Sequence, residues 1–441
     1  FDPALTGQVQ AGKSDRAAGG GTTRRRDVIA NTASAQASVQ QFFPTGTTVA
    51  VDATADYNDF DFYSDTARLG LTVTQSLLRG AGADVNLAAL REARIDTKLS
   101  QYELRGFAES LVAQVEETYW DYALSQRQID IFTESLSLAG QQLDQTNELI
   151  RVGKLAETER AAAEAELATR REDLINARAN LESTRLRLLR LLNPPGAAGA
   201  DDGETSGNFW SRPIQLRNHP FIPADVLDDV ENHADLALQM RPDLNQARLQ
   251  VQRGDLEIVR TRNGLLPRMD LFVTLGKTGY SSSFGGAISD LKGKGYDAAV
   301  GLRFDLPITS RDAEAQFRRA VLTREQSTEA VNNAAQLVQV DVRTAYVEVQ
   351  RTAQQIVATA ATRRLQEVKL TTETEKFRIG KSTSLLVAQA QRDLVASQIN
   401  EIEAVVSHLK ALVELYRLEG SLLERRRIAA PGRDPIGLTN K

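Results

Sequence analysis

The 441-residue chain contains no cysteine, which excludes disulfides, thiolate metal sites and cysteine nucleophiles. It has no run of about 20 apolar residues, and its mean hydropathy is −0.33. No transmembrane helix is therefore expected. No basic, apolar, small-residue signal peptide opens the chain at Phe1. That leaves a cytosolic protein or a chain whose signal has been removed. Charge of one sign is also scarce. The net charge of −5 is too weak for a general nucleic-acid binder. Only three histidines occur, His219, His233 and His408, without metal-ligand spacing. Neither a metal nor a cofactor is expected, and no catalytic constellation is found, so the chain does not read as an enzyme.

Ala, Leu, Arg, Gln and Glu dominate long tracts, while Gly, Pro and aromatics gather in a few places. Such a composition points to long helices interrupted by short special regions. Residues 1–26 read as an irregular N-terminal segment. Within them Gly7–Ser14 matches a phosphate-binding loop literally. Only six residues precede it and Gly19-Gly20-Gly21 follows, so the required strand and helix are missing. Gly80-Ala81-Gly82 similarly lacks the third glycine of a dinucleotide loop. Residues 27–42 read as a short helix ending at Phe42-Phe43-Pro44. The period then changes to two. Val49, Val51, Ala53, Ala55 and Tyr57 alternate with polar neighbours, and so do Ala67, Leu69, Leu71 and Val73. This predicts a β-hairpin over 47–77.

A long helical hairpin is expected over 84–192. Val112, Val115, Tyr119, Tyr122, Gln126 and Ile129 follow a coiled-coil spacing. The first arm would measure roughly 100 Å. Arg151-Val152-Gly153-Lys154 turns it, and Asn193-Pro194-Pro195-Gly196 stops the second arm. A connector rich in Pro, Gly and Asp opens the stretch 193–240. The plan then repeats over 241–420. A helix begins at Arg241-Pro242-Asp243-Leu244, and Leu265-Leu266-Pro267 answers Phe42-Phe43-Pro44. A β-hairpin is expected over 268–307 and a helical hairpin over 311–420, turned by Arg378-Ile379-Gly380-Lys381. The two turn glycines lie 227 positions apart, and at that offset Val115, Tyr119 and Ile129 fall on Val342, Tyr346 and Ile356. Residues 421–441 form a basic, irregular tail.

Four amphipathic strands per chain leave an apolar face to cover. Strands of about 9–11 residues can cross a tilted barrel wall, but an open sheet cannot sit in lipid with unpaired backbone groups. The chain is therefore expected to oligomerise. Three copies would supply about twelve strands around water. Asp52, Asp56, Arg68, Asp270, Arg303 and Asp305 would line that lumen. Phe60, Phe62, Tyr63, Tyr280, Phe284 and Tyr296 would form an aromatic girdle. Packed helices would continue the pore.

This ordered combination resembles the TolC-like outer-membrane efflux and secretion channels over about residues 27–420. The resemblance implies a mainly α fold with a transmembrane β-barrel. It implies a homotrimer with a twelve-stranded outer-membrane barrel, a periplasmic α-helical barrel, and an equatorial belt from 193–240 and 421–441. It also implies a passive exit duct in the outer membrane of a Gram-negative-type bacterium. A periplasmic adaptor protein would open the duct, an inner-membrane pump would drive it, and outer-membrane lipid would surround it. Carried over by position, Arg151, Gly153, Lys154, Arg378, Gly380 and Lys381 form the adaptor-docking tip. Some members carry an aspartate pair after the second tip glycine; here Leu386 and Gln389 stand at those places. Glu157, Glu159, Leu385, Leu386 and Gln389 are the candidates for the pore constriction. A soluble helical scaffold without channel activity is the alternative reading.

Overall fold

The computed structural model describes residues 1–18, 26–59, 62–192, 210, 213–221 and 227–437. Phe60, Gly19–Gly21 and most of the connector that begins at 193 lie outside the described residues. The chain divides into two units. One comprises 1–97 and 249–329, the other 98–248 and 330–441.

The first unit contains a single antiparallel sheet in the order β1-β2-β3-β4-β5-β6. Its strands are β1 (Ala4–Ala18), β2 (Arg26–Phe42), β3 (Thr47–Asn58), β4 (Asp65–Ser76), β5 (Arg268–Ser281) and β6 (Tyr296–Asp305). Two expectations are overturned here. Residues 4–18 are a strand rather than irregular, and 26–42 are a strand rather than a short helix. Alanine favours helices, but its propensity is a weak prior that tertiary pairing overrides. Ala33, Ala35, Ala37 and Val39 alternate with Ser34, Gln36, Ser38 and Gln40, a small-residue period of two. The Gly7–Ser14 stretch lies within β1, its backbone paired to Ala37–Ala30 of β2. Phe42-Phe43-Pro44 sits at the β2–β3 turn, whereas Pro267 directly precedes β5. The two are not equivalent. The described residues thus supply six strands per chain, not four, and the expected count of twelve for three copies does not follow.

The register carries one apolar face across the whole sheet. Leu5 pairs with Val39, Val39 with Val51, Val51 with Leu71, Leu71 with Leu275, and Leu275 with Ala298. Their chain neighbours point to the opposite face, where Thr6, Ser38, Asp52, Gly70, Gly276 and Asp297 form the adjacent row. Between β5 and β6 the expected loop contains a short helix, α6 (Phe284–Asp290), which packs on β4 and β5 with Ala287 buried. A tight turn leads from β4 to α1 (Ala83–Asn86), with the Asn86 amide donating to the carbonyls of Pro44 and Gly80.

The remaining helices are α2 (Ala88–Arg151), α3 (Thr158–Leu192), α4 (Val230–Met240), α5 (Pro242–Gly264), α7 (Arg311–Arg378), α8 (Ser384–Leu418) and α9 (Leu422–Arg425). In the second unit α8 is the most heavily buried. Val387, Ala390, Val395, Ala404, Val413 and Leu415 face inward from it. Ala113 of α2, Val413 of α8 and Leu422 of α9 meet in one apolar cluster. The buried stripe of α2 shares Tyr122, Ala139 and Thr146 with the 3–4 spacing read from the sequence and otherwise differs from it. Ala113, Thr118, Ser125, Ser135, Ala139 and Thr146 are buried, while Val112, Val115 and Ile129 are only half-buried. Small side chains admit a close neighbouring helix, and the larger ones flank the contact.

Candidate lumen lining and hairpin tips

The strands alternate strictly, so each candidate lumen residue can be assigned a face. Asp52, Asp56, Arg68, Asp270, Arg303 and Asp305 all fall on the face opposite Leu5, Val51 and Leu275. Asp297 joins them and pairs with Arg68 at 2.7 Å. Asp297 is not among the residues expected from the sequence to line the lumen, although its alternation with Tyr296 and Ala298 signals this face. Gly70 and Gly276 admit this arrangement. A Cβ at Gly70 would meet the Asp52 carboxylate at 2.6 Å, and one at Gly276 would meet that of Asp297 at 2.5 Å. Asp270 is the exception among the lining residues. It is 2% exposed and is held by Arg268 at 2.8 Å and Ser76 at 3.0 Å. Its carboxylate therefore ties β4 to β5 instead of meeting open water.

The opposite face is mainly apolar and, apart from the part around Ala67 and Gly279 that α6 covers, exposed. Val300 is 73% exposed, Leu302 64% and Phe304 59%. Val51, Leu69 and Leu275 are exposed as well. A contiguous apolar surface of this kind marks contact with lipid or protein. Tyr57 and Tyr296 stand at one end of the face and Phe304 at the other. Phe62 and Tyr63 meet edge-on at 4.9 Å beside Tyr280 at the first of these ends. From Tyr296 to Phe304 the strand runs about 26 Å, which at a barrel tilt of about 40° spans about 20 Å of the roughly 25 Å apolar band of outer-membrane barrels.

The two helical turns share one geometry. In the first, the Gly153 N–H donates to Ile150 and Lys154 to Leu149; in the second, Gly380 donates to Phe377 and Lys381 to Lys376. Both are Schellman caps, which need a left-handed residue. Gly153 has φ 74° and Gly380 φ 72°. Nothing lies within 4 Å of a Cβ at either position, so the requirement is one of backbone conformation alone. Arg151 pairs with Glu148 at 2.6 Å and Arg378 with Glu375 at 2.9 Å, both well exposed. Lys376 and Ser382 hold the Glu373 carboxyl below its usual value. Val152 and Ile379 are exposed beside the glycines.

The constriction candidates separate. Glu157 is exposed near Arg160. Glu159, in the first turn of α3, accepts a hydrogen bond from Ser384 of α8. Leu385, Leu386 and Gln389 are exposed, while the intervening Val387 and Ala390 are buried. Further along, Arg392 of α8 reaches Glu166 of α3 at 2.6 Å. Glu166 also holds the buried Arg170 at 2.6 Å. These contacts join the two helical hairpins just behind their turns. A small cavity of about 200 Å³ lies there, lined by Ala139, Ala163, Leu385 and Ala388 among others.

Away from the turns, the unit is bound by a belt of charge. Arg105 is buried and donates to Glu424 at 2.6 Å and to the Gly420 carbonyl at 3.0 Å. Glu109 lies 3.2 Å from Arg105. Burial nevertheless outweighs that attraction, with Glu424 adding repulsion, and pushes the Glu109 carboxyl up to about 7. Glu419 is fully buried between His233 at 2.5 Å and Arg425 at 3.1 Å. Connector residues lie against the first hairpin: the Tyr122 hydroxyl donates to Ile214 and Arg185 to Trp210. The C-terminal stretch reaches α5 through the Ile436 N–H, which donates to Asn245. Among the described residues, no helix is long and apolar enough to cross a membrane, which leaves a β-barrel untouched.

The family description "Outer membrane efflux protein" matches residues 25–194 and 234–421. The cobalt-zinc-cadmium resistance protein CzcC of Cupriavidus metallidurans is 25% identical over 233 residues, 52% of this chain and 49% of that protein. The alignment thus spans about half the length of that curated relative. A membrane protein from Pseudomonas aeruginosa has a similar structure, with a TM-score of 0.69 at 17% identity, covering 95% of this chain and 85% of that one. The outer membrane protein VceC from Vibrio cholerae gives a TM-score of 0.67 at 14% identity, covering 95% and 87%. At such identities the likeness is one of fold. The two matched regions cover well over half of the sequence and contain both helical hairpins, so the chain belongs to the outer membrane efflux protein family.

Proposed function

We propose that the chain is one subunit of a passive outer-membrane exit duct, a homotrimer that exports cargo received from an inner-membrane pump through a periplasmic adaptor. The observation that carries this reading is the two-faced sheet. One face is mainly apolar and has exposed apolar residues on all six strands, with Lys13, Asp65 and Lys277 towards its ends, and the other carries most of the charges. Lipid covers the first and water fills the space inside the second. A soluble scaffold does not accommodate Val300, Leu302 and Phe304 in the open. Helix α7 adds an exposed apolar stripe, Val340, Val347, Val357, Leu365 and Val368, suited to a neighbouring copy.

Arg151, Gly153, Lys154, Arg378, Gly380 and Lys381 form the tips to which the adaptor docks. Leu385, Leu386 and Gln389 narrow the pore behind them, together with Glu157 and Glu159. Opening swings one hairpin against the other and breaks the Ser384–Glu159 and Arg392–Glu166 contacts. The test is extraction with detergent, sizing, and current recording in a planar bilayer. Trimers that conduct once the tip is loosened are expected. A monodisperse monomer without detergent would overturn the reading.

A further inference from the structure

Among the described residues, nothing pairs with either edge of the six-stranded sheet. We propose that the trimer closes by pairing β6 of each copy with β1 of the next, giving an eighteen-stranded barrel. The proposal rests on the trimeric duct proposed above and specifies the surface through which its copies meet.

Four observations support it. First, in lipid every backbone N–H and C=O needs a partner, so an edge strand must be joined. Second, the directions fit. The sheet is antiparallel throughout and has an even number of strands, so β6 and the following β1 run in opposite directions. Third, neither edge is blocked by Pro or a bulge. Soluble proteins blunt edges with Pro, bulges and charges, Lys above all. Strand β6 has neither Pro nor Lys, and its charges Asp297, Arg303 and Asp305 lie on the polar face, while β1 has no Pro and a single Lys13. The apolar face instead continues to both margins, with Leu5 75% and Val9 84% exposed on β1.

Fourth, a second alignment within the chain, at an offset of 264, relates the outermost strand to β5. Phe1-Asp2-Pro3 and Gly12-Lys13-Ser14 align without a gap on Leu265-Leu266-Pro267 and Gly276-Lys277-Thr278. Strand β1 is thus the counterpart of β5. The second half of the chain passes from β5 directly to its neighbour β6, whereas the first half inserts β2 and β3 between β1 and β4. Strand β1 pairs with β2 over the whole of Ala4–Ala18, and β2 pairs with β3 from Thr32 to Phe42. The inserted hairpin is part of the wall. Barrel diameter grows about linearly with strand number. The lumen would be about 1.5 times as wide as that of a twelve-stranded barrel. The described part of the added lining is uncharged: Thr6, Gln8, Gln10, Gln36, Ser38 and Gln40.

Paired cysteines test this without background, because the parent has none. Leu5→Cys, Gly7→Cys or Val9→Cys is combined with Val300→Cys, Leu302→Cys or Phe304→Cys, all on the apolar face. A parallel set combines Val49→Cys, Val51→Cys or Ala53→Cys with the same β6 positions. Single-cysteine variants recovered as trimers from membranes control for folding. Disulfide-linked dimers and trimers with loss of the monomer band in at least one β1–β6 combination are expected, and none in any β3–β6 combination. Within one chain β3 and β6 are separated by two strands, beyond disulfide reach. Linkage through β3–β6, or no β1–β6 linkage in intact trimers, overturns the eighteen-stranded barrel and leaves the duct standing. Failure of the cysteine-free parent to form trimers would sink the duct and this proposal with it.

Discussion

Arg392 of α8 and Glu166 of α3 meet at 2.6 Å, and with Ser384–Glu159 that contact ties one helical hairpin of the chain to the other just behind the turns. Glu166 is mostly buried and simultaneously holds Arg170. Arg392 is partly open to water, so the pair contributes only about 0.5 kcal/mol per chain. In three copies that becomes about 1.5 kcal/mol, close to tenfold in an open-to-closed ratio. Arg392→Ala should therefore raise bilayer conductance about tenfold at low salt while trimers persist. The exchange Arg392→Glu with Glu166→Arg should restore part of the closure. Unchanged conductance in Arg392→Ala would remove this contact from the gate.

The turn glycines make a sharper prediction through residue type. Gly153 and Gly380 have open space where a Cβ would go, so a substitution meets only the cost of a left-handed backbone, about 1–2 kcal/mol. Asparagine tolerates that conformation and valine does not. Export by Gly153→Asn/Gly380→Asn should stay near the parent level. Gly153→Val/Gly380→Val should lose adaptor binding or export with trimers still in the membrane. Equal export by the two variants counts against the tip assignment.

Glu109 predicts a pH dependence of stability. Burial pushes its carboxyl up to about 7 in the folded protein, against an ordinary value of 4.5. The folded protein therefore holds a proton that the unfolded chain releases between these values. The contribution is full below about 4.5 and declines as pH rises through about 7. Denaturant unfolding in detergent at pH 5, 6, 7 and 8 should show falling stability across that window. Glu109→Gln should flatten the decline, and an identical slope in the variant would exclude Glu109 as its source.

Charge on the polar face of the sheet predicts ionic preference. Asp52, Asp56, Asp270, Asp297 and Asp305 outnumber Arg68, Arg268 and Arg303 on its described part. Reversal potentials across a potassium chloride gradient should favour cations modestly. Asp52→Asn with Asp56→Asn should reduce the preference, and the effect should fade above about 0.1 M salt as screening shortens. Anion preference in the parent would contradict the assignment of this face to the lumen.

The sequence made some of this visible and hid the rest for definite reasons. Strong punctuation is local, so Asn193-Pro194-Pro195 and the two glycine turns mark helix ends directly. Alternation of large residues from Val49 to Val73 coincides with β3 and β4. The same alternation in β2 used alanine against serine and glutamine, a composition shared with helices, and was misread. In β1 glycines diluted it. The contacts joining Ser384 to Glu159 and Arg392 to Glu166 connect residues more than 200 positions apart. No local pattern announces such pairs. Burial of Glu109 was equally silent, since its neighbours along α2 resemble any solvated helix.

The inserted β2–β3 hairpin also bears on how such a wall can vary. A hairpin leaves and returns at the same end of the sheet, so strands can be added without altering the helices that follow. Strands must come in pairs to keep the sheet antiparallel, and in the trimer proposed above every change in the gene would appear three times. The calibre of such a duct would consequently be quantised in steps of six strands. Width in this architecture is set by counting hairpins rather than by adjusting side chains.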